Sequence, residues 1–239
     1  LSIVGMIVSN DAYGPIVDNA RGLAEMGDLG DEVIERADEL DSAGNTTKAI
    51  TKGFAIGAAG LTVIALLAAF AEIVSSTTEI ITFDLMNPSV FFGALVGVAI
   101  PAVFSAILIF GVNKNSQKLV SEIHRQFKEI KGIKEGTAQP EYAKCINLAT
   151  LGAMTELIPA GLSAIISTLI VGFVGGVQAI GGFLAGNILS GLLLAMLMSN
   201  SGGLWDNAKK YIEAGNFGGK GSEAHKAAVI GDTIGDPFK

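Results

Sequence analysis

The chain has 239 residues, half of them hydrophobic and only 16% charged, with a net charge of −7 and a mean hydropathy of +0.52. Soluble domains average roughly 25% charged residues, and here the apolar residues gather in long charge-free runs instead of alternating along amphipathic elements. A soluble globular domain is thereby excluded and an all-α, polytopic membrane protein is expected, with lipid and not nucleic acid around it. A single cysteine, Cys145, excludes an internal disulfide and any multi-cysteine metal site.

Residues 1–10 are apolar but too short to cross a bilayer, and they carry no signal-peptide pattern; the chain reads as one integral-membrane domain cut from something longer. Residues 11–53 form a first polar segment. It contains Asp11 and Asp18 in DAYGPIVDNARG, an acidic stretch up to Asp41, and then GNTTKAITKG. A first span is predicted over 54–74. The connection at 75–87 lacks lysine and arginine and holds Glu79 and Asp84. A second span follows over 89–112, kinked at Pro101.

Residues 113–150 are basic, with Lys114, Lys118, Arg125, Lys128, Lys131, Lys134 and Lys144, which marks that side as cytoplasmic and 75–87 as external. Leu119, Val120, Ile123, Phe127 and Ile130 recur at helical spacing, so the helix is expected to continue beyond the membrane. Residues 157–205 then carry no charge at all, roughly 73 Å of helix at about 1.5 Å per residue. That is two crossings of a core about 30 Å thick, predicted at 157–175 and 179–199 with a turn at Gly175-Gly176-Val177-Gln178. Small-residue faces such as GGFLAGN point to close helix packing. The last polar segment, 200–239, lies with the first on the cytoplasmic side.

Three constellations therefore share one face. Asp11 and Asp18 are two helical turns apart, and Asp232 and Asp236 one turn, so each pair projects carboxylates from one face. Such pairs are hard-oxygen ligands for Mg²⁺, which completes its shell with water and substrate phosphates. Asp206, Lys209 and Lys210 place a carboxylate beside two ammonium groups. Ionisable groups are costly near hydrocarbon, about 2.5–3.5 kcal/mol at mid-membrane, which makes clusters at the edge of a span informative. Together they suit a polyanionic phosphate. Gly219-Lys220 lacks the upstream glycine and the following Ser or Thr of a nucleotide-binding loop. No nucleophile with a base is visible either, which leaves metal-assisted attack by water with an aspartate as base.

DAYGPIVDNARGLAEM, DSAGNTTKAITKGFAIG, GAMTELIPA, WDNAKKYIEAG and GGKGSEAHKAAVIGDTIGDPFK, in this order, resemble the membrane-bound, ion-pumping inorganic pyrophosphatases, and the similarity runs from about residue 11 to the end. The resemblance implies a homodimeric helical bundle whose inner helices extend into the cytoplasm and hold magnesium pyrophosphate. It implies Asp18, Asp206, Asp232 and Asp236 as metal-site aspartates, Asp236 with Asp232 at the catalytic centre, and Asn45, Lys209, Lys210, Lys220 and Lys226 around the substrate. Lys48 resembles the potassium-independent class, in which its ammonium takes the place of a bound K⁺, and Thr51 fits that class; H⁺ is then expected over Na⁺ as the pumped ion. A cation carrier without hydrolysis is the rival class, and it would set its carboxylates near the bilayer midplane. Arg21 departs from the family pattern, where a small residue is usual.

Overall fold

In the computed structural model the described residues are 3–27, 29–77, 82–133 and 135–239, without the side chains of Met26 and Thr77. Among them every regular element is helical: α1 (Val4–Met26), α2 (Asp31–Thr77), α3 (Pro88–Glu129), α4 (Tyr142–Glu213) and α5 (Glu223–Gly235), with single 3₁₀ turns at Asn216–Gly218 and Asp236–Phe238. Glu79 and Lys134, both assigned to loops from the sequence, lie outside the described residues.

The apolar start of the chain is the first part of α1, which continues through Pro15 and the whole DAYGPIVDNARG stretch. Asp31 and Glu32 occupy the first turn of α2, where carboxylates favour the positive end of the helix dipole. With 47 residues this helix is about 70 Å long, more than twice the thickness of a hydrocarbon core. Residues 31–53 and the predicted span 54–74 are thus one rod. Asn87 caps α3 by accepting from the Ser89 N–H at 2.9 Å, and Pro88 fills the first turn, where its missing N–H costs nothing. α3 passes Pro101 and runs on to Glu129, so the helix does continue beyond 112.

α4 has 72 residues and is broken at Gly176, whose φ of 68° and ψ of −168° are open to glycine alone. The turn falls where the Gly-Gly pair predicts it. Its first arm runs antiparallel to α3, with Gly111 against Glu156 and Gly152 against Asn115, while the start of the second arm runs parallel to α3, with Gly93 against Ala179 and Gly97 against Phe183. The chain therefore reverses at Gly176. α2, α3 and α4 are the three described helices long and apolar enough to cross a membrane, and large apolar side chains such as Leu61, Leu66, Phe110, Phe173 and Leu193 face outward along them. An aqueous surface would not tolerate so much exposed hydrocarbon; a lipid one requires it.

The chain divides into two compact units, Val74–Asn187 and Leu1–Ile73 with Ile188–Lys239. In the first, Val171, Ala179 and Phe183 form the core, packed by Val96, Ile100 and Leu184. The crossing of α3 over the second arm of α4 is made backbone to backbone: a Cβ on Gly93, Gly97, Gly182 or Gly186 would overlap a carbonyl group of the other helix. At the polar end of this unit Arg125 ties Glu122 (2.7 Å), Glu129 (2.6 Å) and Glu141 (2.5 Å) together. Gln126 accepts from the Glu141 N–H at 2.8 Å, which fixes the extension of α3 to the start of α4.

In the second unit α1 and α2 are antiparallel and touch at Gly14 and Gly44; α2 and residues 188–213 are antiparallel, with Asn45 beside Gly203 and Leu192 beside Gly60. α5 folds back on α4 with Gly235 against Gly202 and Gly231 under the ring of Trp205. Polar segments far apart in sequence are brought together by these three pairings.

Candidate functional site

A cavity of about 270 Å³ lies between the polar ends of these helices, near the lower edge of the ~300–1,000 Å³ usual for small-molecule sites. α1 contributes Asp18 and α2 contributes Asp41. α4 contributes Asp206, Lys209 and Lys210, and the end of α5 with its 3₁₀ turn adds Asp232, Asp236 and Lys239. Lys220 reaches it from the 214–222 loop, whose glycines at 215, 218, 219 and 221 all take positive φ. That loop is pinned: the Gly221 N–H donates to His225 Nδ1 (3.1 Å), and His225 Nε2 meets Glu213 (2.9 Å). Ser222 caps α5 by accepting from the His225 N–H at 3.1 Å.

Asp206 is the hub. It is buried and accepts from Asn45 Nδ2 at 2.8 Å and from Lys239 Nζ at 2.5 Å. Lys209 and Lys210 stand 3.3 and 3.6 Å from its other oxygen. Burial opposes its ionisation, but Lys239, Lys210 and Lys209 outweigh it and hold the carboxyl well below the usual range. Lys209 also pairs with Asp232, and Lys210 with Asp41. Lys239 bridges Asp206, Asp232 (3.4 Å) and Asp236 (2.6 Å); burial lowers its ammonium pKa, and the Asp206 and Asp236 bonds raise it further than that. Asp236 is different, because half of its side chain (51%) stays accessible. Desolvation in the pocket raises its pKa, with Asp232 and Asp206 adding to the rise and Lys239 opposing it. The two carboxyl groups are thus shifted in opposite directions by their surroundings.

The structure brings together Asp18, Asn45, Asp206, Lys209, Lys210, Lys220, Asp232 and Asp236 in or against this cavity. Lys226 is not among them: its ammonium pairs with Glu223 at 2.6 Å and its side chain is 62% exposed, because the turn between Lys220 and Lys226 directs the two lysines apart. Lys48 is buried, its aliphatic stem laid across Gly14 of α1, a place that any larger residue would fill. Thr51, one turn on, donates to the Thr47 and Lys48 carbonyls. Asp11 does not line the cavity.

Five lining residues were not among the site residues expected from the sequence: Arg21, Glu25, Asp41, Glu213 and Lys239. Asp41 is fully buried, with burial raising its pKa against the pull of Lys210; its position one turn before Asn45 was the available signal. Lys239 lies three residues after Asp236, the spacing of a helical neighbour.

Among the described residues the lining carries seven carboxylates against five cationic side chains. A bare polyanion is repelled by that balance; one accompanied by divalent cations is not. Asp41 Oδ1, Asn45 Oδ1 and Asp206 Oδ1 are buried without a hydrogen-bond partner. The donor set is hard oxygen throughout, and among the described residues no three His, Cys, Asp or Glu side chains close into a cage. Mg²⁺ fits such a set, since it takes one or two carboxylates and leaves the rest of its shell to water and phosphate. Asp18, Asp206 and Asp232 are the residues that would hold it.

The inorganic H⁺ pyrophosphatase family model matches residues 1–239. The chain is 51% identical over its whole length to a K⁺-insensitive pyrophosphate-energized proton pump of Methanosarcina mazei, covering 35% of that protein. It is 52% identical to a putative K⁺-stimulated pyrophosphate-energized sodium pump of Clostridium tetani, again over 100% of this chain and 35% of the other, and 47% identical to a K⁺-stimulated pyrophosphate-energized sodium pump of Thermotoga maritima, covering 34% of it. The chain thus spans about a third of the length of these relatives. Its helices, its charged cavity and the match over every residue agree: this chain belongs to the inorganic H⁺ pyrophosphatase family of membrane proteins.

Proposed function

We propose that the chain provides part of the active site of a homodimeric pump that hydrolyses magnesium pyrophosphate on the cytoplasmic face and moves H⁺ across the membrane. The observation that carries the reading is the cavity in which Lys209, Lys210, Lys220 and Lys239 alternate with an excess of carboxylates. Four ammonium groups neutralise phosphate oxygens as charge shifts to the leaving phosphate, and this electrostatic stabilisation is the main source of rate in phosphoryl transfer. Magnesium, when bound, supplies Lewis-acid polarisation of the phosphates. Asp236, accessible and with a raised pKa, accepts the proton of the attacking water, while Asp232 and Lys239 orient it. α2 and the second arm of α4 run from the cavity into apolar helix, so a change in charge at their polar ends bears directly on the membrane-embedded turns.

Lys48 supports H⁺ over Na⁺: its buried side chain would take the place a K⁺ ion needs, as in a potassium-independent pump. A Na⁺ pump is the second reading, favoured by the equal similarity to relatives named sodium pumps. The rival carrier without hydrolysis is disfavoured because the carboxylates gather at the polar helix ends. The test is phosphate release from pyrophosphate by the full-length protein in vesicles with Mg²⁺, with and without K⁺ and Na⁺, alongside Asp236→Asn. Hydrolysis indifferent to K⁺ and abolished by Asp236→Asn is expected; absence of hydrolysis in the unmodified protein refutes the enzyme, and a strict Na⁺ requirement selects the second reading.

A further inference from the structure

Arg21 has no part in the mechanism above, yet its surroundings suit it to one. It stands three residues after Asp18 on α1, on the same face, and lines the 270 Å³ cavity. It also lines a second, wider cavity of about 840 Å³. Among the described residues, only Arg21, Glu25, Lys210, Glu213 and Lys220 belong to both, so Arg21 marks the neck between them. Beyond the neck, the charged residues described on the wall of the wider cavity are all acidic: Asp31, Glu35, Asp38 and Glu39.

The side chain is held, not loose. Nε donates to Asp38 of α2 at 2.7 Å, Nη1 pairs with Glu25, and the side chain is only 19% exposed. Nη2 has no partner among the described residues, so a guanidinium braced on two sides keeps N–H groups to spare. A planar fork of that kind matches phosphate oxygens better than an ammonium does, and bracing means that little rotamer entropy is lost when a ligand binds.

Building on the proposed pyrophosphate site, we propose that Arg21 is a substrate-binding residue at the neck of the cavity, where its free N–H groups take a phosphate oxygen and its charge separates the bound diphosphate from the acidic space outside. Asp38 is then a positioning residue, acting through Arg21.

The test uses the full-length protein with saturating Mg²⁺, measuring KM and kcat for pyrophosphate and, separately, the Kd of methylene diphosphonate by calorimetry. Arg21→Ala should raise KM and Kd together by about three- to tenfold, the range of a partly exposed charged contact, with kcat changed far less. Arg21→Lys should recover part of the loss, and Asp38→Asn, which keeps the guanidinium and weakens its brace by removing the charge of Asp38, should give a smaller rise in both. If Arg21→Ala leaves KM and Kd within about twofold of the unmodified protein, or lowers only the melting temperature, Arg21 is a clip between α1 and α2 and the proposal fails. Should that variant not assemble, Arg21→Lys and Asp38→Asn decide it by the same comparison. An unmodified protein that binds the diphosphonate but releases no phosphate overturns the hydrolytic function and leaves the Arg21 comparison standing.

Discussion

Replacing Asp206 by asparagine keeps the shape of the hub and removes its charge. Its carboxylate meets Lys239 at 2.5 Å, Lys209 at 3.3 Å and Lys210 at 3.6 Å, so the change leaves three partly buried ammonium groups facing a neutral amide. Removing one member of a buried ion pair costs about 3–5 kcal/mol. Lys209 and Lys210 keep Asp232 and Asp41, and Lys239 keeps Asp236, which brings the expected cost down to about 2–3 kcal/mol. The relatives are about three times as long as this chain and the shift per kcal/mol shrinks with length, so the melting point of the full-length protein in detergent should fall by about 1–4 °C. The same variant should lose phosphate release. An Asp206→Asn protein that melts with the unmodified one would refute the account of Asp206 as the anion on which these lysines converge.

Gly97→Leu drives a side chain into the Phe183 carbonyl and should cost about 1–3 kcal/mol or more, read as a lowered melting temperature, whereas the same change at Gly57, which faces open space, should be nearly silent. Glu122 is held at about 2 from an ordinary 4.5, chiefly by its bonds to Arg125 and Gln126. Its contribution is therefore complete above about pH 4.5 and lost as pH falls towards 2. Limited proteolysis near residues 135–141 should accelerate over that window in the native protein, and a Glu122→Gln variant that shows the same pH dependence would contradict it. Lys48→Ala should turn K⁺-indifferent hydrolysis into K⁺-stimulated hydrolysis, measured as phosphate release with and without K⁺ at an ionic strength held constant against screening effects; unchanged indifference would remove Lys48 from that role.

The helices were legible because a membrane leaves the backbone little choice: long charge-free runs must be helical, and Gly175-Gly176 was the evident place for α4 to reverse. The conjunction of Asp18, Asp206, Asp232 and Asp236 was legible through their common side of the membrane. What stayed hidden was pairwise. The direction of Lys226 depends on the turns between 220 and 226, and Asp41 looked like one more charge in an acidic helix until Lys210 was set against it. Lys239 needed the 3₁₀ turn at Asp236–Phe238 to curl its ammonium back over the carboxylates.

The bare crossing of Gly93 and Gly97 with Gly182 and Gly186 also limits how this unit can move. Helices separated by side chains slide by letting rotamers flip, in small increments. Here carbonyl groups mesh like gear teeth, and a shift shorter than a full turn of about 5.4 Å drives one backbone into the other. α3 and the early second arm of α4 are therefore held as one piece, or displaced against each other only in whole steps.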